Sequence, residues 1–241
     1  MNEPDRFVGL DVQTRRPCPY AVLDRDGRAL ESGWLARGNG ADIIGSLRGV
    51  LGDLSRGSGS LAIGIDAPRS WLDAPREWYW NGSKRRWRAR AGGDCGNGRH
   101  CEVVIAANRL ANPQWTPCAP PYPEWMELGF ALFADLKGHA LTYEVFPSAS
   151  YTLFASDRSL KVELFVSDLA DGPKDMLDAY VAALTVREFV QGRGQAVGGG
   201  DGKGQIVLPR PIPNEVPNVG TWPSNTAMHP TAAEDEGGGR W

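Results

Sequence analysis

Cysteine and histidine are scarce in this chain, whose 241 residues include four cysteines and three histidines. A small secreted domain that depends on disulfides carries a much higher density of cysteine, so that class of protein is excluded. Long apolar runs are also absent. No segment reaches the roughly 20 residues of a membrane-spanning helix or the shorter apolar core of a signal peptide. We therefore expect a cytoplasmic protein with reduced cysteines and no membrane partner.

An excess of basic charge is likewise missing. The formal net charge of −3 excludes a protein that coats nucleic acid with a uniformly basic surface, but it is compatible with a local basic patch. Hydrophobic residues make up 41% of the chain. Over this length, that fraction is enough to build the core of one medium-sized domain with an inserted lobe.

Two kinds of catalytic motif are not found. The glycine-rich segment 192–204 lacks the lysine–serine pair of a phosphate-binding loop, and we predict a flexible hairpin there. Ser148 and His139 do not form a nucleophile motif with an ordered third partner. Acyl transfer is therefore not expected.

A zinc site would have to be built from Cys95, His100, Cys101 and Cys118. Their spacing lacks the short Cys-x-x-Cys pair on which strong zinc predictions rest. The adjacent His100 and Cys101 also rarely reach one ion together. We expect these side chains to be free or buried, and zinc is not the expected cofactor.

The pattern of apolar runs and turn residues predicts a mixed α/β fold. Three strands form a meander, and a helix then leads to a fourth, buried strand that is expected to pair in parallel. The predicted strands cover residues 6–12, 19–23, 28–35, 61–66, 141–146 and 205–208. The predicted helices cover residues 41–54, 101–110, 124–137, 160–170 and 174–191, and a further short helix begins at Ser148.

We expect a single domain over residues 1–210, with an irregular insertion at about 69–123 that is rich in Trp, Arg, Gly and Pro. From residue 211 onward, Pro, Asn, Thr and Gly dominate. A segment of that composition buries little apolar surface, so residues 211–241 are predicted to form a disordered tail.

The most informative feature is a set of carboxylates at the ends of predicted elements. An acid buried at a strand end is costly unless it is paired or bound to a cation. Several such acids together favour a shared divalent metal, because Mg²⁺ prefers oxygen ligands. The set consists of Asp11, Asp66, Glu144, Asp175 and Asp178.

The predicted ligands of Mg²⁺ or Mn²⁺ are Asp11, Asp66, Asp175 and Asp178, and Glu144 is expected nearby as a ligand or a water-orienting acid. Asp11 and Asp66 become neighbours if their strands pair in parallel. Asp175 and Asp178 lie on one face of their helix because they are three residues apart. An alternative stays open for this pair: Asp175 stabilises the first turn through the helix dipole, and Asp178 is a cap or an ion-pair partner.

Seven motifs follow one another along residues 6–209. They are Val-Gly-Leu-Asp at 8–11, Tyr-Ala-Val-Leu-Asp at 20–24, Ile-Gly-Ile-Asp-Ala-Pro at 63–68, Arg-His-Cys-Glu at 99–102, Tyr-Glu-Val-Phe-Pro at 143–147, Asp-Met-Leu-Asp-Ala at 175–179 and Gly-Gln-Ile-Val-Leu-Pro at 204–209. As an ordered set, they resemble domain-of-unknown-function family 429, a family of predicted nucleases with a ribonuclease H-like fold.

The resemblance implies metal-dependent hydrolysis of phosphodiester bonds by direct attack of water, without a histidine base. Asp11 matches the acid of the first strand and Asp66 that of the fourth, and Asp175 with Asp178 resembles the helix pair of Holliday-junction resolvases. The chain departs from the family at Ser148, where a second acid is usual. The segment before the last helix is also short and lacks a basic cluster. Both departures concern substrate handling more than metal binding.

Residues 78–90 interleave cations with large aromatic side chains. Cations attract phosphates, and unpaired bases stack on tryptophan. Because the segment follows Asp66 closely, we expect it beside the metal site as a nucleic-acid contact. The alternative is that the tryptophans pack onto the domain and the arginines are solvated or paired with acids. The candidate substrate-binding residues are Trp80, Lys84, Arg85, Arg86, Trp87 and Arg88, together with Arg99 of the fourth motif.

The leading interpretation is a nuclease that uses two metal ions. One alternative is a non-catalytic module that binds nucleic acid or protein on the same fold. Another is an actin-like ATP-binding domain, a fold with a similar sheet topology. Residues 11–14 faintly resemble the phosphate loop of that fold. That fold normally needs two such domains and a glycine in the loop.

Overall fold

Residues 6–89 contain six strands and one helix in this computed structural model, which describes residues 3–56, 60–170 and 172–223. The first part of the chain comprises β1 (Arg6–Asp11), β2 (Pro19–Asp24), β3 (Ala29–Trp34), α1 (Gly40–Arg56), β4 (Leu61–Asp66), β5 (Trp78–Asn81) and β6 (Arg86–Ala89). The second part comprises α2 (His100–Ala107), α3 (Glu124–Asp135), β7 (Leu141–Val145), α4 (Pro147–Ser156), α5 (Pro173–Val190), β8 (Gln195–Gly198) and β9 (Gln205–Leu208).

Seven of these strands form one mixed sheet in the order β3-β2-β1-β4-β7-β9-β8. The β1–β2, β2–β3 and β8–β9 pairs are antiparallel, whereas the β1–β4, β4–β7 and β7–β9 pairs are parallel. An antiparallel meander followed by parallel strands, with helices around the sheet, is the ribonuclease H-like arrangement that was predicted. The hairpin predicted in the glycine-rich segment is the β8–β9 pair.

Alternating side chains of the central strands build a core on each face of the sheet. Val8 and Ile63 belong to the cluster that includes buried residues of α1 and α3. Phe7 and Ala62 belong to the cluster on the opposite face, where they pack with Ala182 and other residues of α5. Each strand therefore packs one set of alternating residues against α1 and α3 and the other set against α5.

Two glycines let α5 lie directly against the sheet. Gly9 and Gly64 are paired across β1 and β4. A Cβ atom on Gly9 would lie 1.9 Å from the carbonyl oxygen of Ala179, and one on Gly64 would lie 2.8 Å from that of Ala182. Helix and strands therefore meet backbone to backbone, and this contact fixes the position of α5 along β1.

The insertion at 69–123 is more ordered than the sequence suggests. β5 and β6 pair as an antiparallel hairpin, and α2 lies in the same segment. Trp78 and Trp87 of the hairpin share a hydrophobic cluster with residues of α2, β8 and β9. The insertion therefore builds a second core at the β8 edge of the sheet.

The predicted boundary of the tail differs from the structure. Ile212 and Val219 are buried in the cluster that holds the hairpin. The ring of Trp222 lies 5.0 Å from the ring of Trp87. Residues 211–223 thus pack onto the domain, and the rest of the predicted tail, 224–241, lies outside the described residues.

The helix predicted at 160–170 is absent except for a short 3₁₀ turn at Val166–Leu169. Val162 and Leu164 are half-buried, whereas Lys161, Glu163 and Phe165 are exposed. This period of two is typical of an extended segment with one side against the protein. In the part of the chain that the structure describes, no helix is long and apolar enough to cross a membrane.

Candidate active site

Asp11 and Asp66 end two neighbouring parallel strands and are paired in register. Each lies two residues beyond the glycine that contacts α5, so both carboxylates are on the α5 side of the sheet. In open α/β sheets, this edge, where parallel strands end, is where ligands commonly bind. The predicted pairing of the two strand acids is therefore present.

Helix α5 brings Asp175 and Asp178 to the same edge. Ala179 of α5 lies against Gly9 of β1. Asp175 is one helical turn before Ala179, and Asp11 is two residues beyond Gly9, so both acids lie to the same side of this contact. Both helix acids are largely buried. The predicted aspartates thus meet where β1 and β4 end and α5 begins.

Burial and mutual repulsion govern the strand acids. Burial raises the pKa of Asp11 to about 7, and the charges of Asp178 and Asp175 add to the shift, although Gln13 Nε2 donates a hydrogen bond of 2.6 Å to Asp11 Oδ2. Burial also raises the pKa of Asp66 well above its usual value, and Asp11 and Asp178 contribute by repulsion. The aspartates act on one another as one electrostatic group.

Two cations of the chain neutralise the helix acids. Arg16 Nη1 lies 2.8 Å from Asp175 Oδ2. Lys174 forms an ion pair with Asp178, which also accepts a hydrogen bond of 2.7 Å from the Tyr151 hydroxyl. Sequence reasoning missed both cations, although the four-residue spacing of Lys174 and Asp178 is a recognisable ion-pair signal.

The donor chemistry of this group fits a hard divalent cation, because every candidate ligand is a carboxylate oxygen. No described residue donates a hydrogen bond to the carboxylate of Asp66, and the buried Asp175 Oδ2 has only the ion-pair contact with Arg16 Nη1, which lacks hydrogen-bond geometry. Among the described residues, however, no three His, Cys, Asp or Glu side chains stand together in a ready metal-binding arrangement. The ion pairs of Arg16 and Lys174 hold the helix acids in the present arrangement.

Glu144 has a different environment from the aspartates. It lies next to Asp66 on the neighbouring strand, since its register partner on β4 is Ile65. Arg99 Nη1 donates to Glu144 Oε2 at 2.8 Å and Arg99 Nη2 donates to Oε1 at 2.5 Å, while the backbone N–H of Arg69 donates to Oε2 at 2.9 Å. Both oxygens are thus used by the protein, which favours a structural role over the predicted role as ligand or water-orienting acid.

Arg99 is the centre of a buried network and not a surface contact for substrate. Its side chain is 1% exposed, and it also pairs with Glu102 at 2.9 Å. Thr116 completes the network through a backbone hydrogen bond of 3.0 Å to Glu102 Oε2. Sequence analysis named Glu102 only within the fourth motif and did not name Thr116, although a glutamate three residues after a helix N-cap commonly accepts from the N-cap N–H, as Glu102 Oε2 does from Arg99 at 3.1 Å.

A cavity of about 320 Å³ opens over the strand ends. Asp11, Asp66 and Glu144 line it, together with Ser148 and Trp125. None of its lining residues belongs to the β5–β6 hairpin. The hairpin therefore does not form the wall of the candidate site, contrary to the expectation from its proximity to Asp66 in the sequence.

Most of the hairpin's large side chains are engaged within the protein. Trp87 is buried and donates from Nε1 to the carbonyl oxygen of Asn218 at 3.1 Å. Trp80 packs edge-on against it, with ring centroids 5.4 Å apart. Arg88 forms a two-pronged pair with Asp94. Arg88 is exposed but paired, whereas Lys84, Arg85 and Arg86 are exposed and form no ion pair with a described residue.

His100 connects α2 to two later segments of the chain through hydrogen bonds. Its Nδ1 accepts a hydrogen bond from the Gly200 N–H at 3.0 Å, and its Nε2 lies 3.0 Å from the Val219 carbonyl oxygen. Burial lowers its pKa, which suits a neutral ring with a proton on Nε2. Cys95, Cys101 and Cys118 are free thiols.

No family model, no curated protein and no solved structure matches this chain. The resemblance to domain-of-unknown-function family 429 therefore stays a prediction.

Proposed function

We propose that this protein is a Mg²⁺- or Mn²⁺-dependent nuclease that hydrolyses phosphodiester bonds. The observation that carries the proposal is the register pairing of Asp11 with Asp66 at the ends of two parallel strands. Neither strand acid has an ion pair of its own among the described residues, and both lie beside the acids of α5. A divalent cation is the natural counter-charge for such a group.

The chain's own residues have separate roles in this proposal. Asp11, Asp66 and Asp178 would hold the metal ions, and Asp175 would add a further carboxylate if Arg16 released it. Gln13 and Tyr151 orient Asp11 and Asp178 through the hydrogen bonds described above. Bound metal ions would lower the pKa of an attacking water and would offset the negative charge on the leaving oxygen.

Lys174 acts as the counter-charge when no metal ion is present. Its side chain is 63% exposed, so its pair with Asp178 is worth about 1 kcal/mol or less. A divalent cation can replace it at small cost, because the ammonium only has to swing into the solvent.

The first test is calorimetric titration of Mn²⁺ into the wild type, Asp11→Asn and Asp66→Asn. We expect binding to the wild type and loss of binding in both variants. Asp53→Asn, which removes an exposed acid of α1, is the matched control and should bind like the wild type. Labelled DNA and RNA can then be screened with the two variants as inactive controls. A folded wild type that binds no Mn²⁺ would rule the proposal out.

A non-catalytic binding module is the second candidate. It is favoured by the ion pairs of Lys174 with Asp178 and of Arg16 with Asp175, which leave the helix acids neutralised without a metal ion. The same titration separates the two candidates, because a binding module has no need to bind Mn²⁺ through Asp11 and Asp66.

A further inference from the structure

A groove of about 600 Å³ adjoins the carboxylate cavity. Val12, Gln114 and Trp125 line both spaces, so the groove and the cavity have a common wall. The loop that follows β1 forms one side of the groove, and the start of α3 forms the other. A ligand bound in this groove could therefore extend directly into the cavity at the ends of β1 and β4.

The loop after β1 gives the groove a positive side. Arg15 and Arg16 are exposed and line the groove, which has Glu124 as its one acidic lining residue. Arg16 reaches from this loop to Asp175 of the candidate site. Arg15 forms no ion pair with any described residue. Guanidinium groups with unused donors are suited to phosphate oxygens.

An aromatic side chain stands at the junction of the two spaces. Trp125 is half-buried and lines both the groove and the cavity. A tryptophan in this position offers a surface on which an unpaired base can stack, whereas a paired base is already stacked on its neighbours.

We propose that the groove binds an unpaired nucleic-acid strand, with phosphates on Arg15 and Arg16, a base on Trp125 and the next phosphate at the metal site that Asp11 and Asp66 would form. This inference rests on the proposed nuclease function and names its substrate class. A single phosphomonoester would occupy the smaller cavity and leave both arginines unused. A strand uses the cations, the aromatic ring and the carboxylates together.

Two basic surfaces of the protein are candidates for binding the strand. Arg15 and Arg16 lie in the groove, whereas Arg85 and Arg86 are exposed in the β5–β6 hairpin, which does not line the cavity. Arg15→Gln/Arg16→Gln and Arg85→Gln/Arg86→Gln are therefore matched variants. Each removes two exposed arginines at adjacent positions.

The measurement is fluorescence anisotropy with a labelled single strand of about 12 nucleotides, a length that covers known single-strand sites. All proteins carry Asp11→Asn/Asp66→Asn and are kept in EDTA, so the strand is not cleaved and the measured affinity comes from the groove and not from the metal site. We expect the groove pair to weaken binding at least tenfold and to lower the salt slope by about 0.7 for each lost phosphate contact. The hairpin pair should stay within twofold of its parent.

Two further variants test the details. Arg15→Gln alone should weaken binding and leave Mn²⁺ binding of the otherwise wild-type protein unchanged, because Arg15 does not touch the carboxylates. Trp125→Leu should weaken binding about tenfold without changing the salt slope, because stacking releases no counterions. A blunt duplex of the same sequence should bind at least tenfold more weakly than the strand.

Several results would overturn the inference. They are a greater loss in the hairpin pair than in the groove pair, equal binding of duplex and strand, and no strand binding by the parent. A mononucleotide that competes as well as the strand would also overturn it. Calorimetry with Mn²⁺ on the wild type distinguishes failure of this inference from failure of the proposed function. If the wild type binds Mn²⁺ but the parent does not bind the strand, only strand binding in the groove is refuted. If the wild type does not bind Mn²⁺, the metal site is refuted.

Discussion

Lys174 and Asp178 form an ion pair one helical turn apart at the edge where β1 and β4 end. The ammonium of Lys174 also lies 5.1 Å from the ring centre of Tyr151, whose hydroxyl donates to Asp178. Burial raises the pKa of Asp11 and Asp66, and the charge of Lys174 opposes this shift in both. One lysine thus acts on three of the four aspartates.

The first prediction concerns competition between Lys174 and a divalent cation. Lys174→Met removes the positive charge that a bound cation would have to displace or tolerate. We expect Mn²⁺ to bind up to about fivefold more tightly, a change of about 1 kcal/mol or less. We also expect the metal-free protein to be less stable, because the carboxylates lose their counter-charge. Calorimetry and thermal unfolding in EDTA measure the two effects.

Lys137→Met is the matched control for this variant, because Lys137 is an exposed lysine that follows α3. It should change neither Mn²⁺ affinity nor stability. If Lys174→Met binds Mn²⁺ with wild-type affinity, Lys174 is not a competitor of the cation.

The second prediction concerns pH in the absence of metal. The pKa of Asp11 is raised from 3.8 to about 7 in the folded protein because the carboxyl is buried. The folded state therefore keeps its proton while the unfolded state loses it, and stability falls as the pH rises from about 4 through 7. Asp11→Asn removes this loss, and we expect the variant to be about 1–3 kcal/mol more stable than the wild type at pH 8.

Urea unfolding in EDTA at pH 5, 6, 7 and 8 gives the required free energies. The difference in unfolding free energy between Asp11→Asn and the wild type should increase as the pH rises. At pH 8, addition of Mn²⁺ should stabilise the wild type and reduce this difference. A wild type that becomes more stable relative to Asp11→Asn as the pH rises contradicts the raised pKa.

The strand acids of the site were predictable because their signals are local. Each of β1 and β4 is a short apolar run that ends in an aspartate, and a turn or proline follows. Two such parallel strands bring their last residues together, as the pairing of Asp11 with Asp66 shows. The mixed sheet followed from the same runs and from the turn residues between them.

The contacts that surround these acids were not predictable, because they depend on packing between distant segments. The position of α5 depends on Gly9 and Gly64, which in the sequence are only two glycines in apolar runs. The pairing of Glu144 with Arg99 joins residues 45 positions apart. Neither partner carries a local sign of the other.

The packing of the insertion against the C-terminal segment was also not predictable from the sequence. Trp87 alternates with arginines and reads equally well as a strand residue or as an exposed aromatic side chain. Its burial depends on Val219 and Trp222, which lie in a segment rich in proline and glycine. Isolated apolar residues without a period give no signal for packing, so the segment resembles a disordered tail.

The third prediction separates structural from metal-binding acids. Glu144→Gln weakens the pair with the fully buried Arg99, and we expect it to destabilise the protein by about 3 kcal/mol. It should still bind Mn²⁺, because both Glu144 oxygens are used by Arg99 and Arg69. Asp66→Asn should do the reverse, with Mn²⁺ binding lost and stability kept or increased.

Thermal unfolding and calorimetry on the same samples measure both properties. Glu144 would be a ligand after all if Glu144→Gln abolished Mn²⁺ binding while the protein stayed folded at the temperature of the titration.

The last prediction concerns the contact that holds α5 over the strand acids. Gly9→Ala places a Cβ atom 1.9 Å from the carbonyl oxygen of Ala179, and neither backbone can move without disturbing the sheet or the helix. We expect a loss of about 3 kcal/mol or more in the free energy of unfolding. Gly45→Ala in α1 is the control: apart from the backbone of its own helix, no atom lies within 4 Å of the added Cβ. Alanine is also the better helix former there, so Gly45→Ala should stabilise the protein by about 0.5–1 kcal/mol. If Gly9→Ala folds with wild-type stability, α5 does not meet β1 backbone to backbone, and Asp175 and Asp178 lose their fixed position beside Asp11.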